Sequence, residues 1–257
     1  MMSPAGSEKE RFAVVIPVYN HGRTVRRVVQ AALGLNLPIY VVDDGSTDGG
    51  CASLESTPGV HLLVHPSNLG KGAALLTGFR AAADSAGWAI TLDADGQHDP
   101  EDARVLMASI GDRARPVVVG CRKAMLAAGA PWTSRFGRGF SNFWVRMAGG
   151  PLLIDSQSGF RIYPLPEVLG WEVRARRYQF EVEVLVKAGW HGVPVVEAPI
   201  DVIYAPDGER VSHFRPFVDF VRNSNVFTRL IVQNIFIRQI LGRLIFGRRR
   251  YRNRSDE

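Results

Sequence analysis

Cysteine is scarce. Only Cys51 and Cys121 occur in 257 residues, far apart and in no C-x-x-C or zinc spacing. That excludes a disulfide scaffold and a structural zinc site, and each thiol reads as a small buried side chain in a reducing compartment. Long apolar runs are missing too. In the last stretch, Phe217 to Phe246, the longest uncharged run is Leu230 to Ile237, eight residues interrupted by Gln233-Asn234. A bilayer-crossing helix needs about 20. Residues 1–10 carry no apolar segment of the kind a secretory leader has, so they read as a disordered lead-in. Neither G-x-x-x-x-G-K-[ST] nor a G-x-G-x-x-G after the first apolar run is present. Their absence argues against a P-loop NTPase and a nicotinamide dehydrogenase.

Balanced charge is also lacking at one end. The net charge is +6, and from Arg238 onward seven arginines face only Asp256 and Glu257, a net of +5. The body is therefore nearly neutral and the basic character belongs to the tail. With 46% apolar and 22% charged residues, the chain is long enough for one good core and a small appendage.

What is present begins with short apolar runs, each ending in polar residues. Phe12 to Ile16 reads as a strand buried on both faces and ends in Pro17-Val18-Tyr19-Asn20. A helix is expected from Thr24 to Leu33. Ile39 to Val42 is a second strand, ending in Asp43-Asp44-Gly45-Ser46, and Val60 to Val64 a third, ending near Asn68. Gly70-Lys71-Gly72 opens a helix to about Ala83; Trp88 to Leu92 and Val117 to Val119 are further strands. Strands and helices alternating at this spacing predict a mostly parallel sheet with helices on both faces. In such a sheet the carboxyl ends of the strands share one edge, where open α/β folds bind ligands. Tyr19-Asn20, Asp43-Asp44, Asn68 with Lys71, and Asp93 with Asp95 are expected to converge there.

The stretch Ile90-Thr-Leu-Asp93-Ala-Asp95-Gly-Gln97-His98-Asp99-Pro100 is the centre of that group. A strand that stops at two carboxylates offers oxygen ligands to a hard cation such as Mg²⁺, which takes few carboxylates and completes its shell with phosphate oxygens. Asp99-Pro100-Glu101 then starts a helix. Lys71, at the start of its own helix, either attracts an anion or is solvated in a Gly-rich turn.

Ile16-Pro-Val-Tyr-Asn20, Val-Val-Asp43-Asp44-Gly-Ser46, Asn68-Leu-Gly-Lys71-Gly and Asp93-Ala-Asp95-Gly-Gln97-His98 come in the order found in family 2 glycosyltransferases of the GT-A fold. The chain resembles most the dolichyl-phosphate mannose synthase and polyprenyl-phosphate glycosyltransferase branch. Asp155-Ser-Gln-Ser158-Gly-Phe-Arg161, Phe180-Glu181-Val-Glu183 and Val196-Glu197-Ala-Pro199-Ile200 extend the likeness over roughly residues 12–215. The resemblance implies a GT-A domain over 11–214 and a basic amphipathic helical extension over 215–257. It implies that Pro17, Tyr19 and Asp44 contact the base and ribose of a UDP- or GDP-sugar, with Asp43 and Lys71 nearby. Asp93, Asp95 and Gln97 would be the site for Mg²⁺ or Mn²⁺ and the diphosphate. Two departures stand out: His21 replaces a family glutamate, and Ser212-His213 replaces Ser-Lys.

The reaction so implied is inverting transfer of a sugar to a lipid-linked acceptor, polyprenyl phosphate being the expected one. Alternatives are another lipid or a carrier-bound acyl or aryl chain, or a non-catalytic nucleotide-sugar-binding scaffold. An ionised phosphate acceptor needs no strong base. For a hydroxyl acceptor Asp155 is the candidate base by position, its other reading being a turn acid before Ser156. Arg122 and Arg135 lie in a segment rich in Arg and aromatics, which is either a solvated basic loop or, as the resemblance implies, the receiver of the acceptor phosphate. On a helical wheel Arg222, Asn225, Arg229, Gln233 and Arg243 fall on one side of the C-terminal stretch. With Arg248 to Arg254 it reads as an anchor on anionic lipid at the cytoplasmic face, or as a helix packed on the domain. A single basic tail without a recognition module argues against nucleic acid as a partner.

Overall fold

The computed structural model describes residues 11–112, 115–122, 132–202 and 224–236, the side chains of 132–138 excepted. The expected boundary at 214 and the basic tail lie outside these residues.

Seven strands form one sheet: β1 (Phe12–Val18), β2 (Ile39–Asp43), β3 (Val60–Val64), β4 (Trp88–Thr91), β5 (Val117–Arg122), β6 (Arg161–Pro164) and β7 (Val195–Ile200). Their order is β3-β2-β1-β4-β6-β5-β7. All run parallel except β6, which is antiparallel to both β4 and β5. The helices are α1 (Gly22–Ala32), α2 (Lys71–Ala82), α3 (Ala103–Ala108), α4 (Trp132–Met147), α5 (Leu165–Gly170) and α6 (Gln179–Trp190), with α7 over 224–236.

The expected mostly parallel sheet with helices on both faces is found, and two of its strands went unread in the sequence. One is β7. The other is β6, whose four residues begin with a fully buried arginine, so no apolar run announces it. Arg161 is satisfied without an acid: its guanidinium donates to the carbonyls of Ser158 (2.7 Å), Glu181 (2.7 Å) and Ser156 (2.8 Å). A buried cation with its donors matched to carbonyl oxygens avoids the cost of unmade hydrogen bonds.

Alternation along the strands builds two cores. Ala13, Val15, Tyr40, Ala89, Val117, Val119 and Tyr163 face α2, α5, α6 and α7. Val14, Ile16, Ile39, Val41, Ile90, Val118 and Ile162 face α1 and α3. Helix α1 buries Val25, Val28, Val29 and Ala32, the i, i+3, i+4, i+7 stripe of a helix lying on a sheet. Helix α6 is buried on nearly every side from Gln179 to Val186. Helix α7 docks through Phe227, Leu230 and Asn234 and joins the first core, so the end of the described chain is packed on the domain. Burying Phe227 and Leu230 contributes about 1.5–3 kcal/mol each.

Helix α2 approaches the sheet at Gly78, where a Cβ would stand 2.4 Å from Val15 Cγ1 and 3.2 Å from Val42 Cγ2. Alanine favours helix by about 1 kcal/mol over glycine, but here the extra methyl must push the sheet away. Gly78→Ala is therefore expected to lower stability, by about 1–3 kcal/mol. Urea unfolding of wild type and variant measures it; a stabilised variant would show that α2 yields freely.

Candidate active site

Because β6 runs antiparallel between β4 and β5, its amino end meets the carboxyl ends of its neighbours. Residue Thr91 is paired with Arg161, and so is Val119. One edge of the sheet thus gathers the loops after β1, β2, β3 and β4, the segment before β6, and Arg122 at the end of β5. The predicted convergence is observed, with the Asp155–Phe160 segment added to it.

Lys71 is the hub. It is the first residue of α2, and its Nζ donates to Asp93 Oδ1 and to Glu181 Oε1, both at 2.6 Å. The turn before it needs Gly70, whose φ of 101° is left-handed and whose Cβ would lie 2.5 Å from the Arg176 carbonyl oxygen. On the other side a Cβ on Gly159 would lie 2.5 Å from Asp93 Oδ2 and 2.8 Å from Lys71 Nζ. Burial works against the Lys71 charge, but Asp93 and Glu181 outweigh it and raise its pKa above the ordinary lysine value. Burial works against the Asp93 charge as well; Lys71, helped by His98 and His21, holds that carboxyl below the usual range. In this structure Lys71 is thus ion-paired on two sides and not solvated in a Gly-rich turn.

Asp95 Oδ1 accepts from the Gln97 N–H at 3.0 Å. Among the described residues, Asp93 Oδ2 and Asp95 Oδ2 accept no hydrogen bond, and both residues are half-buried. Among the same residues no group of three or more His, Cys, Asp or Glu side chains forms a ready-made metal cage. Two carboxylates with one unbonded oxygen each, and an amide at Gln97, suit a hard ion that keeps water or phosphate oxygens in its shell. His98 is buried against the Phe160 ring, 5.4 Å between centroids, and its Nδ1 has no partner among the described residues. Burial pushes its pKa down, against the pull of Asp93 and Asp95.

Asp44, expected at the base and ribose, is buried, and both its oxygens are used. Oδ1 accepts from Leu69 N (2.9 Å) and meets His65 Nδ1 (2.8 Å); Oδ2 accepts from Gly70 N (2.7 Å). It shapes the loop that delivers Lys71, and a nucleotide contact through it would have to share these bonds. Asp43 is buried with Oδ1 on the Ser46 N–H (2.8 Å). Burial, with Asp43 beside it, pushes the Cys51 thiol up to about 12, in keeping with an inert cysteine. Pro17 is buried at the end of β1 and Tyr19 half-buried just beyond it. Asn20, at φ 54°, ties the two loops together: its N–H donates to Ser46 Oγ (3.0 Å) and its Oδ1 accepts from Thr47 N (2.8 Å). His21 ends its loop by offering its carbonyl to Thr24 and Val25 at the head of α1.

Asp155 is fully buried and gripped by Arg122 in a two-point pair, Nε to Oδ2 at 2.6 Å and a terminal nitrogen to Oδ1 at 2.8 Å. Oδ1 also takes the Gln157 N–H at 3.4 Å, so the turn-acid role is real. While this pair is closed, both Asp155 oxygens are engaged by the guanidinium. Arg135 belongs to α4, and its side chain is outside the described set.

Glu181 was not singled out by its chemistry in the sequence. The available signal was two acids, Glu181 and Glu183, inside an otherwise apolar helix, since acids are rarely buried unless paired. Glu183 accepts from Ala175 N (2.8 Å) and from Arg229 of α7 (2.6 Å). Arg229, on the polar side of the helical wheel, is thus turned into the domain, as in the packed-helix alternative. Toward the carboxyl end of α7 the outward side is apolar, with Val232, Ile235 and Phe236 more than half exposed, while Asn225 and Thr228 are exposed nearer its start. No helix among the described residues is long and apolar enough to cross a membrane.

The family described as Glycosyl transferase family 2 matches residues 13–165. A protein of Methanococcus voltae named UDP-N-acetylglucosamine--dolichyl-phosphate N-acetylglucosaminyltransferase is 32% identical over 214 residues, covering 74% of this chain and 85% of its own. The polyprenol monophosphomannose synthase of Mycolicibacterium smegmatis is 30% identical over 207 residues, covering 74% and 77%. Among solved structures, mannosyl-3-phosphoglycerate synthase from Rubrobacter xylanophilus superimposes with a TM-score of 0.62 at 17% identity, over 91% of this chain and 75% of that one.

The Lys71–Asp93 pair gives stability a defined pH window. Asp93's depressed value makes its contribution full above the ordinary carboxylate pKa and lost as pH falls through the folded one. Lys71's raised value makes its contribution full below the ordinary lysine pKa, and it persists until pH passes the folded value. The stability difference between wild type and Lys71→Met is expected to be flat from about pH 5 to 10 and to shrink below about pH 4. Urea unfolding across pH checks this; a difference that grows on acidification would contradict the pairing.

Proposed function

The chain belongs to glycosyl transferase family 2, and on that premise we propose that it transfers a sugar from a nucleotide-sugar to a lipid-linked phosphate of the polyprenyl or dolichyl type, with inversion at the anomeric carbon. The observation that carries this reading is the division of one sheet edge into two halves. The end of β4 offers Asp93 and Asp95 with unbonded oxygens, and the end of β5 offers the guanidinium of Arg122. The first half suits the diphosphate end of a donor, and the second suits an acceptor anion. The names of two relatives, with dolichyl phosphate in one and polyprenol in the other, support the acceptor class.

In this reading Asp93, Asp95 and Gln97 would hold Mg²⁺ or Mn²⁺. The ion would neutralise charge building on the departing nucleoside diphosphate. Tyr19, Asn20 and the loop after β2 border the nucleotide. Arg122 exchanges Asp155 for a phosphate oxygen of the acceptor, which a planar guanidinium holds at two points just as it holds the carboxylate. An acceptor phosphate arrives ionised, so its oxygen attacks the anomeric carbon as the bond to the diphosphate breaks, and no proton has to be removed. Asp155 then needs no role as a base. It stores Arg122 in a neutral pair between turnovers, and Arg135 of α4 is a second candidate cation for the acceptor.

The exposed apolar end of α7 leads into the tail with its net +5, which fits a protein resting on an anionic membrane at its cytoplasmic face. Nucleic acid has no part in this reading.

The direct test incubates the protein with a panel of UDP- and GDP-sugars, Mn²⁺ or Mg²⁺, and polyprenyl phosphate, following label into the organic phase. Label that appears only with free or hydroxyl-bearing acceptors would overturn the phosphate-acceptor reading. Asp95→Asn is expected to lower turnover by roughly 10²–10³-fold with an unchanged melting temperature; a folded variant of near-normal rate at low metal would count against the acids. Deleting residues 238–257 is expected to weaken binding to anionic vesicles and remove its salt dependence, since each arginine near such a surface contributes about 1 kcal/mol. Co-sedimentation at low and high salt measures this, and equal sedimentation of both proteins at every salt would sink the anchor.

A further inference from the structure

Helix α6 carries two acids two residues apart, Glu181 and Glu183, 7% and 1% exposed. Both are ion-paired, but with different neighbours. Glu183 binds Arg229 and so fastens α7 to the domain. Glu181 binds Lys71, which at the same time binds Asp93. We propose that Glu181 is a positioning residue of the transfer reaction, holding Lys71 so that Asp93 can be given up to a divalent cation. The inference rests on the reading of Asp93 and Asp95 as the metal-holding acids.

The reasoning starts from competition. An ammonium and a divalent cation seek the same carboxylate, and Lys71 Nζ already sits 2.6 Å from Asp93 Oδ1. If Asp93 were its single partner, yielding that oxygen to a metal would leave a largely desolvated ammonium, 15% exposed, unpaired, a heavy penalty. The ammonium has little room to withdraw. The backbone of Gly159 stands against it, close enough that a Cβ there would be 2.8 Å from Nζ, and the Tyr178 ring centroid is 6.0 Å away on another side. Glu181 removes the penalty, because Lys71 keeps a complete ion pair at 2.6 Å when Asp93 turns away. Glu181 is itself fixed: its own carbonyl accepts from the buried Arg161 at 2.7 Å, and its helix is buried on nearly all sides. The ammonium and its two carboxylates also leave one negative charge over, and that surplus attracts a cation to Asp93.

The test is apparent Mn²⁺ affinity, read from the EPR signal of the free ion, on the full chain with UDP or GDP present. Wild type, Glu181→Gln, Glu181→Asp and Glu183→Gln are compared. Glu181→Gln is expected to weaken Mn²⁺ binding roughly tenfold or more, the size usual for residues that support a metal ligand. Glu181→Asp restores most of it, and Glu183→Gln lowers the melting temperature without changing it. Equal affinity in wild type and Glu181→Gln overturns the proposal and leaves the metal reading standing. A wild type that binds no Mn²⁺ with either nucleotide overturns the metal reading, and the proposal with it. Should Glu181→Gln fail to melt cooperatively, the double variant Lys71→Met with Glu181→Met decides, measured without nucleotide. Removing competitor and holder together must tighten Mn²⁺ binding relative to wild type, and any other result overturns the proposal.

Discussion

A single half-buried ammonium organises one edge of this molecule's sheet. Lys71 touches Asp93 at the end of β4 and Glu181 on α6, so one side chain joins the first turn of α2 to two other elements. Such a contact stabilises only if every charge in it is answered, because desolvating an ion costs several kcal/mol before any pairing is counted. The surrounding sequence meets that demand. Gly70 supplies the left-handed turn that starts α2, Asp44 ties down the backbone N–H groups of Leu69 and Gly70, and Gly159 lets the chain pass against the pair. The requirement for exact chemistry at these positions follows from the burial of one charge.

Much of the fold was readable because β1 to β4 obey simple rules. Each is a short apolar run ending in polar residues, and the observed strands differ from the expected ones by at most two residues. The edge where ligands gather followed from parallel order alone. What stayed hidden depended on contacts between distant segments. No local pattern marks β6, since its leading arginine is buried by matching carbonyls from Ser156, Ser158 and Glu181. Asp44 stands in the sequence as an expected nucleotide contact and Asp155 as a candidate base or turn acid, and neither expectation shows what else the carboxylates bind. In the fold each spends both oxygens on protein donors, Asp44 on a loop and Asp155 on Arg122. Arg229 was left open in the same way, because a helical wheel shows which side a residue takes and not what packs against that side.

The helix that follows the domain shows how packing and surface exposure share one element. Phe227, Leu230 and Asn234 hold α7 against the domain, and Gly149 keeps no side chain because Asn234 lies within 2.9 Å of where its Cβ would be. The expected choice between a packed helix and a surface helix is therefore not exclusive. Docking orients Val232, Ile235 and Phe236 outward at the end from which the basic tail departs.

The ion pairs of the edge share a further property. Arg122 is paired with Asp155 and Lys71 with Asp93 and Glu181, so each of these cations has a carboxylate in contact in the free protein. In the proposed reading, an acceptor anion reaching Arg122 replaces one carboxylate by another anion instead of neutralising a bare charge. The exchange forgoes part of the Coulomb attraction, but it spares the free protein the cost of unpaired, partly desolvated cations. It also favours ligands whose geometry equals that of the carboxylate they displace. For Arg122, gripped at two points by Asp155, that condition selects a group with two oxygens at carboxylate-like spacing, which a phosphate meets and a lone hydroxyl does not. Pairing in the free state thus contributes to discrimination between acceptors before any chemistry begins.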